Sequence, residues 1–119
     1  MIYLDNAATT LPKPKEVAEA VTDAMNNCGN PARGSHDASL AGLRVMLRAR
    51  MAIADLFHAP DPMNVAFTLN ATAALNTAIG GIKGHIIMTA AEHNSVLRPV
   101  VRRGNYTVVP RAGKGRVDV

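Results

Sequence analysis

The sequence of 119 residues has the length of one domain or of a piece of one. Apolar residues make up 48% of it and charged residues 18%, which is enough apolar side chain for a packed core and excludes a disordered tail. Aromatic residues are scarce, with two Tyr, two Phe and no Trp. A surface that stacks RNA or single-stranded DNA bases on aromatic rings is therefore poorly supplied.

The net charge of +4 is unevenly distributed, because residues 93–119 carry six positive side chains and one negative. Such a basic end can meet a nucleic acid or a membrane, but a solvated face or an interface to the rest of a longer chain is favoured. We therefore expect neither a nucleic-acid nor a membrane partner. The single cysteine, Cys28, excludes an internal disulfide and a cysteine-rich zinc site. The N-terminus shows no signal-peptide pattern, and no apolar run approaches the ~20 residues that span a bilayer, so a cytoplasmic location is expected.

The N-terminal part of the chain predicts an arm followed by a helix. Pro12 and Pro14 oppose a helix before position 14, so residues 1–14 are expected to form an extended arm, with Pro14 in the first turn of the helix. Gly29 is expected to end this helix. Its predicted apolar face consists of Val17, Ala20, Val21, Ala24, Met25 and Cys28. On this face the Cys28 thiol is expected to be buried and inert.

A loop over residues 29–36 leads to a second predicted helix, capped by Ser35 or Asp37. Its expected buried stripe consists of Leu40, Leu43, Leu47, Met51, Ala54 and Phe57. Pro60 and Pro62 are expected to end it.

The second half of the chain alternates between strand and helix patterns. In chain order the predicted elements are a strand at 64–69, a helix at 70–82, a strand at 85–89, a helix that ends at Gly104 and a strand at 105–109. Because Pro99 is awkward inside a helix, the last helix is expected to begin near Arg98. This order predicts an α/β fold with a parallel sheet. The predicted divisions are the arm 1–14, a helical segment 15–60 and an incomplete α/β domain 61–119.

Thr72 lies where the first predicted strand passes into an Ala-rich helix. Free amides at a helix N-terminus, with the helix dipole behind them, form an anion site, and the Thr72 hydroxyl can add a hydrogen bond. The alternative is that Asn70 or Thr72 simply caps the helix. The chain contains neither G-x-G-x-x-G nor a Walker A motif, so a dinucleotide or nucleoside-triphosphate site is not predicted.

His93 follows the predicted strand at 85–89. A histidine at such a strand end can stack on a planar ring, transfer a proton or bind a metal, but no cluster with ligand spacing supports a metal site. The alternative is a loop residue with a local hydrogen bond. If the strands before Thr72 and His93 are neighbours in the sheet, the two residues line the same edge.

The loop at 30–36 contains Arg33, which could bind an anion or a carboxylate. The alternative is a surface arginine in a loop that joins two helices.

Five short sequence blocks are distributed over essentially the whole chain. The blocks are Tyr3 to Thr10 with the following Pro12-Lys13-Pro14; Gly29-Asn30-Pro31; Arg33-Gly34-Ser35-His36; Phe67-Thr68 leading to Ala71-Thr72; and Glu92 to Val96. In this order and at this spacing, the sequence resembles the cysteine desulfurases of the class V aminotransferase family.

The resemblance implies the N-terminal part of the large domain of a fold type I transferase that depends on pyridoxal 5′-phosphate, with helices and the start of a mainly parallel sheet. Enzymes of this kind take sulfur from L-cysteine and give L-alanine and an enzyme-bound persulfide. The resemblance also implies a cytoplasmic homodimer that passes sulfur to an acceptor protein, for example in iron–sulfur cluster assembly.

The resemblance also assigns roles to individual residues. Ala71 and Thr72 correspond to the helix start that binds the cofactor phosphate. His93 corresponds to the catalytic histidine that stacks on the pyridine ring and helps to transfer protons. The positions that border the substrate pocket or the dimer interface are Asn6, Ala7, Ala8, Thr9, Arg33 and His36. The family commonly has Glu after the threonine, where this chain has Ala73.

Several groups that the family needs for catalysis are expected further along than this sequence extends. They are the Schiff-base lysine, the aspartate that pairs with the pyridine nitrogen, the persulfide cysteine and the arginine that binds the substrate carboxylate. The chain alone is therefore expected not to be catalytic. The alternatives are a selenocysteine lyase or another class V reaction on an amino acid, and a non-catalytic module that binds a phosphate-bearing ligand or a partner protein.

Overall fold

The chain folds as two units, one up to Ala66 and the other from Phe67 onward. The computed structural model describes residues 2–111 and Gly113, so the predicted α/β segment and the basic stretch extend into residues outside the description. The first unit contains helix α1 (Lys15–Asn27), helix α2 (Asp37–Leu56) and a short 3-10 helix (Pro62–Asn64). The second contains helix α3 (Ala71–Gly81), strand β1 (Ile86–Thr89), helix α4 (Asn94–Arg103) and strand β2 (Tyr106–Val109).

Helix α1 begins directly after Pro14, which occupies the N-cap position rather than the first turn. The helix ends before the predicted Gly29, where the Cys28 N–H donates to the Ala24 carbonyl at 3.0 Å. None of its residues is buried. The predicted apolar face packs against α2 only in part, so Met25 is 81% exposed and Cys28 is half-buried. The expectation of a buried Cys28 thiol is therefore wrong.

Helix α2 is capped by His36 rather than by Ser35 or Asp37. The predicted stripe of large apolar residues is mostly wrong, because only Ala54 is buried and Leu40 is half-buried. The exposed members are Leu43, Leu47, Met51 and Phe57.

Small residues form the buried surface of α2, because the preceding loop lies close to the helix backbone. Ser39 and Gly42 are buried there. The Gly29 N–H donates to the Ala38 carbonyl at 2.8 Å, and a Cβ atom at position 42 would lie 2.7 Å from the Gly29 carbonyl oxygen. Such a close approach of two backbones requires glycine. Apolar periodicity carries no signal of this approach, which is why it identifies the wrong face.

The predicted strand at 64–69 is absent from the structure. Residues 62–64 instead form a turn of 3-10 helix, in which the Asp61 Oδ1 atom accepts the Met63 N–H at 2.8 Å. Residues 65–69 are not assigned to a strand, and Leu69 is 93% exposed. Alternation of apolar and polar residues is therefore not sufficient to predict a strand, because strand formation depends on the setting of the segment in the fold.

Strands β1 and β2 pair in parallel, as predicted, in a register that runs from Ile86 opposite Tyr106 to Thr89 opposite Val109. Helix α4 connects them, which gives the strand–helix–strand unit of an α/β fold. Each strand begins one residue later than predicted. The core of this unit consists of Ile79, Met88 and Val100, with Ile86, Val96 and Tyr106 packed against it.

Helix α4 begins at Asn94 and contains Pro99, so the prediction that it begins near Arg98 is wrong. Proline has no N–H, and its place in the helix therefore removes the donor that would normally reach the Ser95 carbonyl. The Nδ2 atom of Asn76, on α3, donates to this carbonyl at 3.5 Å. Pro99 itself is buried. The contact with α3 thus compensates in part for the missing hydrogen bond.

Candidate functional site

The N-terminus of α3 has two open amide donors. The Asn70 side chain caps the helix, since its Oδ1 atom accepts the Ala73 N–H at 2.9 Å, and the Asn70 carbonyl accepts the Ala74 N–H at 3.1 Å. In the described part of the chain, no acceptor meets the N–H groups of Ala71 and Thr72 or the Thr72 hydroxyl. Capping by Asn70 and anion binding are therefore compatible, and the first two amides of α3 remain available to an anion.

His93 is the N-cap of α4. Its Nδ1 atom accepts the Ser95 N–H at 3.2 Å and lies 2.9 Å from the Ser95 hydroxyl oxygen. Because a backbone N–H can only donate, this contact assigns the proton of the neutral imidazole to Nε2. The His93 side chain is exposed, and its Nε2 atom has no partner among the described residues. The local hydrogen bond thus orients the ring and leaves its other nitrogen free.

Thr72 and His93 line one open cleft of about 480 Å³. The other residues that line it are Asn76, Asn94, Ser95, Arg98, Pro99 and Arg102. The structure therefore places Thr72 and His93 together, as expected, but for a different reason. The packing of α3 against α4 joins them, rather than two neighbouring strands.

The cleft carries positive charge. Arg98 and Arg102 lie one turn apart on α4, and neither forms an ion pair within the part of the chain that the structure describes. Together with the open amides of α3, they make the cleft suitable for an anionic group.

Residues 6–9 of the N-terminal arm lie in the first unit, and all four are exposed. The predicted extended arm contains a turn at 6–8, in which the N–H groups of Ala8 and Thr9 approach the Asp5 carbonyl at 3.1 and 3.3 Å. The Tyr3 hydroxyl lies within hydrogen-bond distance of the carbonyls of Asp5 and Thr9 and closes the turn by donating its single proton to one of them. Asn6, Ala7, Ala8 and Thr9 are therefore held in a local hydrogen-bonded turn.

Arg33 and His36 also belong to the first unit, in the loop that precedes α2. Arg33 is exposed and forms no ion pair among the described residues. The His36 ring caps α2: its Nδ1 atom accepts the Ser39 N–H at 3.4 Å, and its Nε2 atom lies 3.1 Å from the Ser39 hydroxyl oxygen. This role accounts for His36 without a ligand.

The cleft also contains residues that the sequence patterns do not single out for the site. Asn76 donates to the Thr72 carbonyl at 2.8 Å, and Arg98 and Arg102 add the charge. The sequence signal that could have identified them is their spacing. Thr72 and Asn76 on α3 are four residues apart, as are Arg98 and Arg102 on α4, so each pair lies on one face of its helix. Within residues 2–111, no group of three or more His, Cys, Asp or Glu could hold a metal ion, and no helix is long and apolar enough to cross a membrane.

Comparison with known proteins relates the sequence to one family. The model of the class V aminotransferase family matches residues 2–117. Cysteine desulfurase IscS of Pseudoalteromonas translucida is 40% identical over 87% of this chain and 28% of its own length. A probable cysteine desulfurase of Aeropyrum pernix is 35% identical over 97% of this chain and 31% of its own length. IscS of Shewanella woodyi is 42% identical over 81% of this chain and 26% of its own length. The chain therefore spans less than a third of the curated relatives it matches.

Proposed function

This chain belongs to the class V aminotransferase family, and we propose that the protein that carries it is a cysteine desulfurase dependent on pyridoxal 5′-phosphate. The proposed reaction converts L-cysteine to L-alanine and leaves the sulfur as an enzyme-bound persulfide. The proposal is supported by the named activity of the relatives and by the cleft that contains Thr72 and His93.

The cleft fits the cofactor at both of its ends. The open amides of Ala71 and Thr72 and the Thr72 hydroxyl are donors of the kind that a phosphate requires. His93 lies at the same cleft with an exposed ring and an unengaged Nε2 atom. The juxtaposition of an anion-binding helix start and an exposed imidazole is the observation that carries the proposal.

The residues of this chain then have distinct tasks. Ala71 and Thr72 donate hydrogen bonds to the cofactor phosphate, and the N-terminal end of the α3 dipole adds to the attraction. His93 would hold the pyridine ring of the cofactor and, because the Ser95 N–H occupies Nδ1, would hold or exchange a proton at Nε2. The chemistry that the bound cofactor would supply there is that of an electron sink for the substrate carbon.

The remaining parts of the activity are also proposed for the whole protein. Residues 1–119 contain no group that we assign as the lysine, aspartate, cysteine or arginine that the family needs, so we propose that this segment alone is not catalytic. We further propose a cytoplasmic homodimer, with residues 6–9, Arg33 and His36 at the substrate pocket or the subunit interface. The sulfur acceptor is then a protein, such as one that assembles iron–sulfur clusters.

The test is cofactor binding by two variants of the complete protein. Thr72→Val removes one hydroxyl without a change of volume, and we expect it to weaken binding of pyridoxal 5′-phosphate on the order of tenfold. His93→Ala is expected to change the absorption spectrum of the bound cofactor and to slow the formation of alanine from L-cysteine.

The matched control is Thr77→Val on the same helix, whose hydroxyl donates to the Ala73 carbonyl at 2.9 Å instead of facing the cleft. This variant should bind the cofactor like the wild type. Wild-type affinity and spectrum in both Thr72→Val and His93→Ala would contradict the proposal.

A further inference from the structure

The loop between β1 and His93 is held by one carboxylate. The Oε1 atom of Glu92 accepts two hydrogen bonds from Thr89, the last residue of β1: one from the hydroxyl at 2.7 Å and one from the backbone N–H at 3.3 Å. Glu92 is half-buried. Because one side-chain oxygen accepts from both donors of Thr89, this pair of bonds fixes the turn immediately before His93.

The Thr89 hydroxyl links the Glu92 carboxylate to a further amide of the loop, that of Ala91. Its single proton points to Glu92, so its oxygen can accept the Ala91 N–H, which lies at 3.3 Å. The intervening Ala90 N–H donates to the Val109 carbonyl at 2.9 Å. The amides of Thr89, Ala90 and Ala91 therefore all have fixed acceptors, and the first and third depend on the Glu92–Thr89 pair.

We infer that Glu92 is a positioning residue for His93. It does not line the cleft, and it forms no ion pair among the residues that the structure describes. Its carboxylate instead holds the backbone from which the next residue, His93, projects its ring. The inference rests on the proposed function, because the position of the ring matters to the reaction only if His93 contacts the cofactor.

A different explanation is that the carboxylate stabilises α4 through the helix dipole. The neutral analogue distinguishes the two explanations. Glu92→Gln removes the charge but keeps an oxygen that can accept both bonds from Thr89, whereas Glu92→Ala removes both the charge and the acceptor. Positioning predicts that glutamine behaves like the wild type, and a dipole effect predicts that glutamine behaves like alanine.

The first experiment uses the complete protein without cofactor and follows the His93 imidazole by nitrogen NMR. Glu92→Ala is expected to shift the Nδ1 resonance, because the ring loses its fixed place beside the Ser95 N–H. Thr89→Val should cause a similar shift, since it removes the hydroxyl from the same pair. Glu92→Gln should leave the resonance in place. Glu16→Ala, which removes an exposed carboxylate from α1, is the control and should also leave it unchanged.

The second experiment adds pyridoxal 5′-phosphate to the same variants. Glu92→Ala and Thr89→Val are each expected to raise the Kd on the order of tenfold and to displace the absorption band of the bound cofactor. The double variant should be no worse than either single variant, because both substitutions remove the same interaction.

An unchanged Nδ1 resonance in Glu92→Ala overturns the inference, and so does a Glu92→Gln variant that behaves like Glu92→Ala. Failure of the proposed function gives a different result. In that case Thr72→Val and His93→Ala bind the cofactor like the wild type while residue 92 is still glutamate. Such a result removes the proposed function and the role of Glu92 with it, whereas the first two results remove only the role of Glu92.

Discussion

His36 and His93 occupy the same position at the start of α2 and α4, and each ring accepts the N–H of a serine in the first turn of its helix. The two rings differ at the other nitrogen. The Nε2 atom of His36 lies 3.1 Å from the Ser39 hydroxyl oxygen, whereas the Nε2 atom of His93 meets no described residue. The same residue type at the same cap position therefore leaves a free nitrogen in only one case, and that one lines a cleft.

The largest expected effect comes from crowding the His36 cap. A Cβ atom at position 34 would collide with the Ser39 side chain and lie 2.9 Å from the His36 Nε2 atom. We therefore expect Gly34→Ala to lower the free energy of unfolding by about 1–3 kcal/mol, measured by urea denaturation. Gly80→Ala, in the last turn of α3 with no neighbour near its Cβ position, is the control. It should be neutral or stabilising by up to about 1 kcal/mol, and equal losses in both variants would contradict the prediction.

Removal of the His36 ring and removal of the His93 ring should lower the free energy of unfolding by different amounts. His36→Ala loses the contacts of both ring nitrogens, and we expect a loss of about 1–2 kcal/mol, at the upper end for an N-cap. His93→Ala loses the contacts of one nitrogen, with a smaller expected loss of about 0.5–1 kcal/mol. Thermal and urea denaturation of the two variants side by side provide the measurement. A larger loss in His93→Ala would reverse the assignment of His36 as the structural cap.

Replacement of His93 by another preferred N-cap residue should distinguish its role as the cap of α4 from the proposed contact of its ring with the cofactor. Asparagine is among the preferred N-cap residues, so His93→Asn is expected to stay within about 0.5 kcal/mol of the wild-type stability. The spectrum of bound pyridoxal 5′-phosphate should nevertheless change as much as in His93→Ala, because the ring is gone. If His93→Asn instead keeps the wild-type spectrum, the proposed contact between His93 and the cofactor is wrong.

The smallest expected effect is a difference between the tautomers of His85 and His93, which involves no change in stability. His85 lies just before β1, with Nδ1 2.7 Å from the Asn105 Oδ1 atom and Nε2 2.7 Å from the Thr107 hydroxyl oxygen. Because Asn105 Nδ2 donates to the Gly84 carbonyl at 3.3 Å, its Oδ1 atom faces the ring, and the proton of neutral His85 belongs on Nδ1. We expect nitrogen NMR to show opposite tautomers for His85 and His93. The same tautomer at both would contradict one of the two hydrogen-bond assignments.

Local patterns predict the extents of the elements better than the contacts between distant positions. The extents of α3, β1 and β2 and the cap by Asn70 depend on neighbours in sequence, and the structure confirms them to within a residue or two. The strand at 64–69 depends on a partner strand, and the start of α4 on the buried setting of Pro99, so neither could be read from adjacent residues. The close approach of Gly29 to Gly42 is likewise a contact between distant positions.

The candidate site shows the same limit. The helix start with open amides follows from local sequence, while the proposed roles of Thr72 and His93 come from resemblance to the family. That these residues share a cleft was expected from strand order, but the packing of α3 against α4 is what produces it. The role of Glu92 cannot be predicted from the sequence, because its hydrogen bonds to Thr89 form only when the loop places Glu92 beside the end of β1.

The hydrogen bond from Asn76 to the Ser95 carbonyl has a consequence for how this unit opens. Helix α4 lacks one backbone hydrogen bond at Pro99, and the Ser95 carbonyl takes a donor from Asn76 on α3 instead. Helix α4 therefore cannot unwind at this point without breaking a contact with α3. We therefore expect the amides of α3 and α4 around these residues to exchange with deuterium at similar rates, as one cooperative segment. The cleft between the two helices would then open and close as a single event, carrying Thr72 and His93 with it.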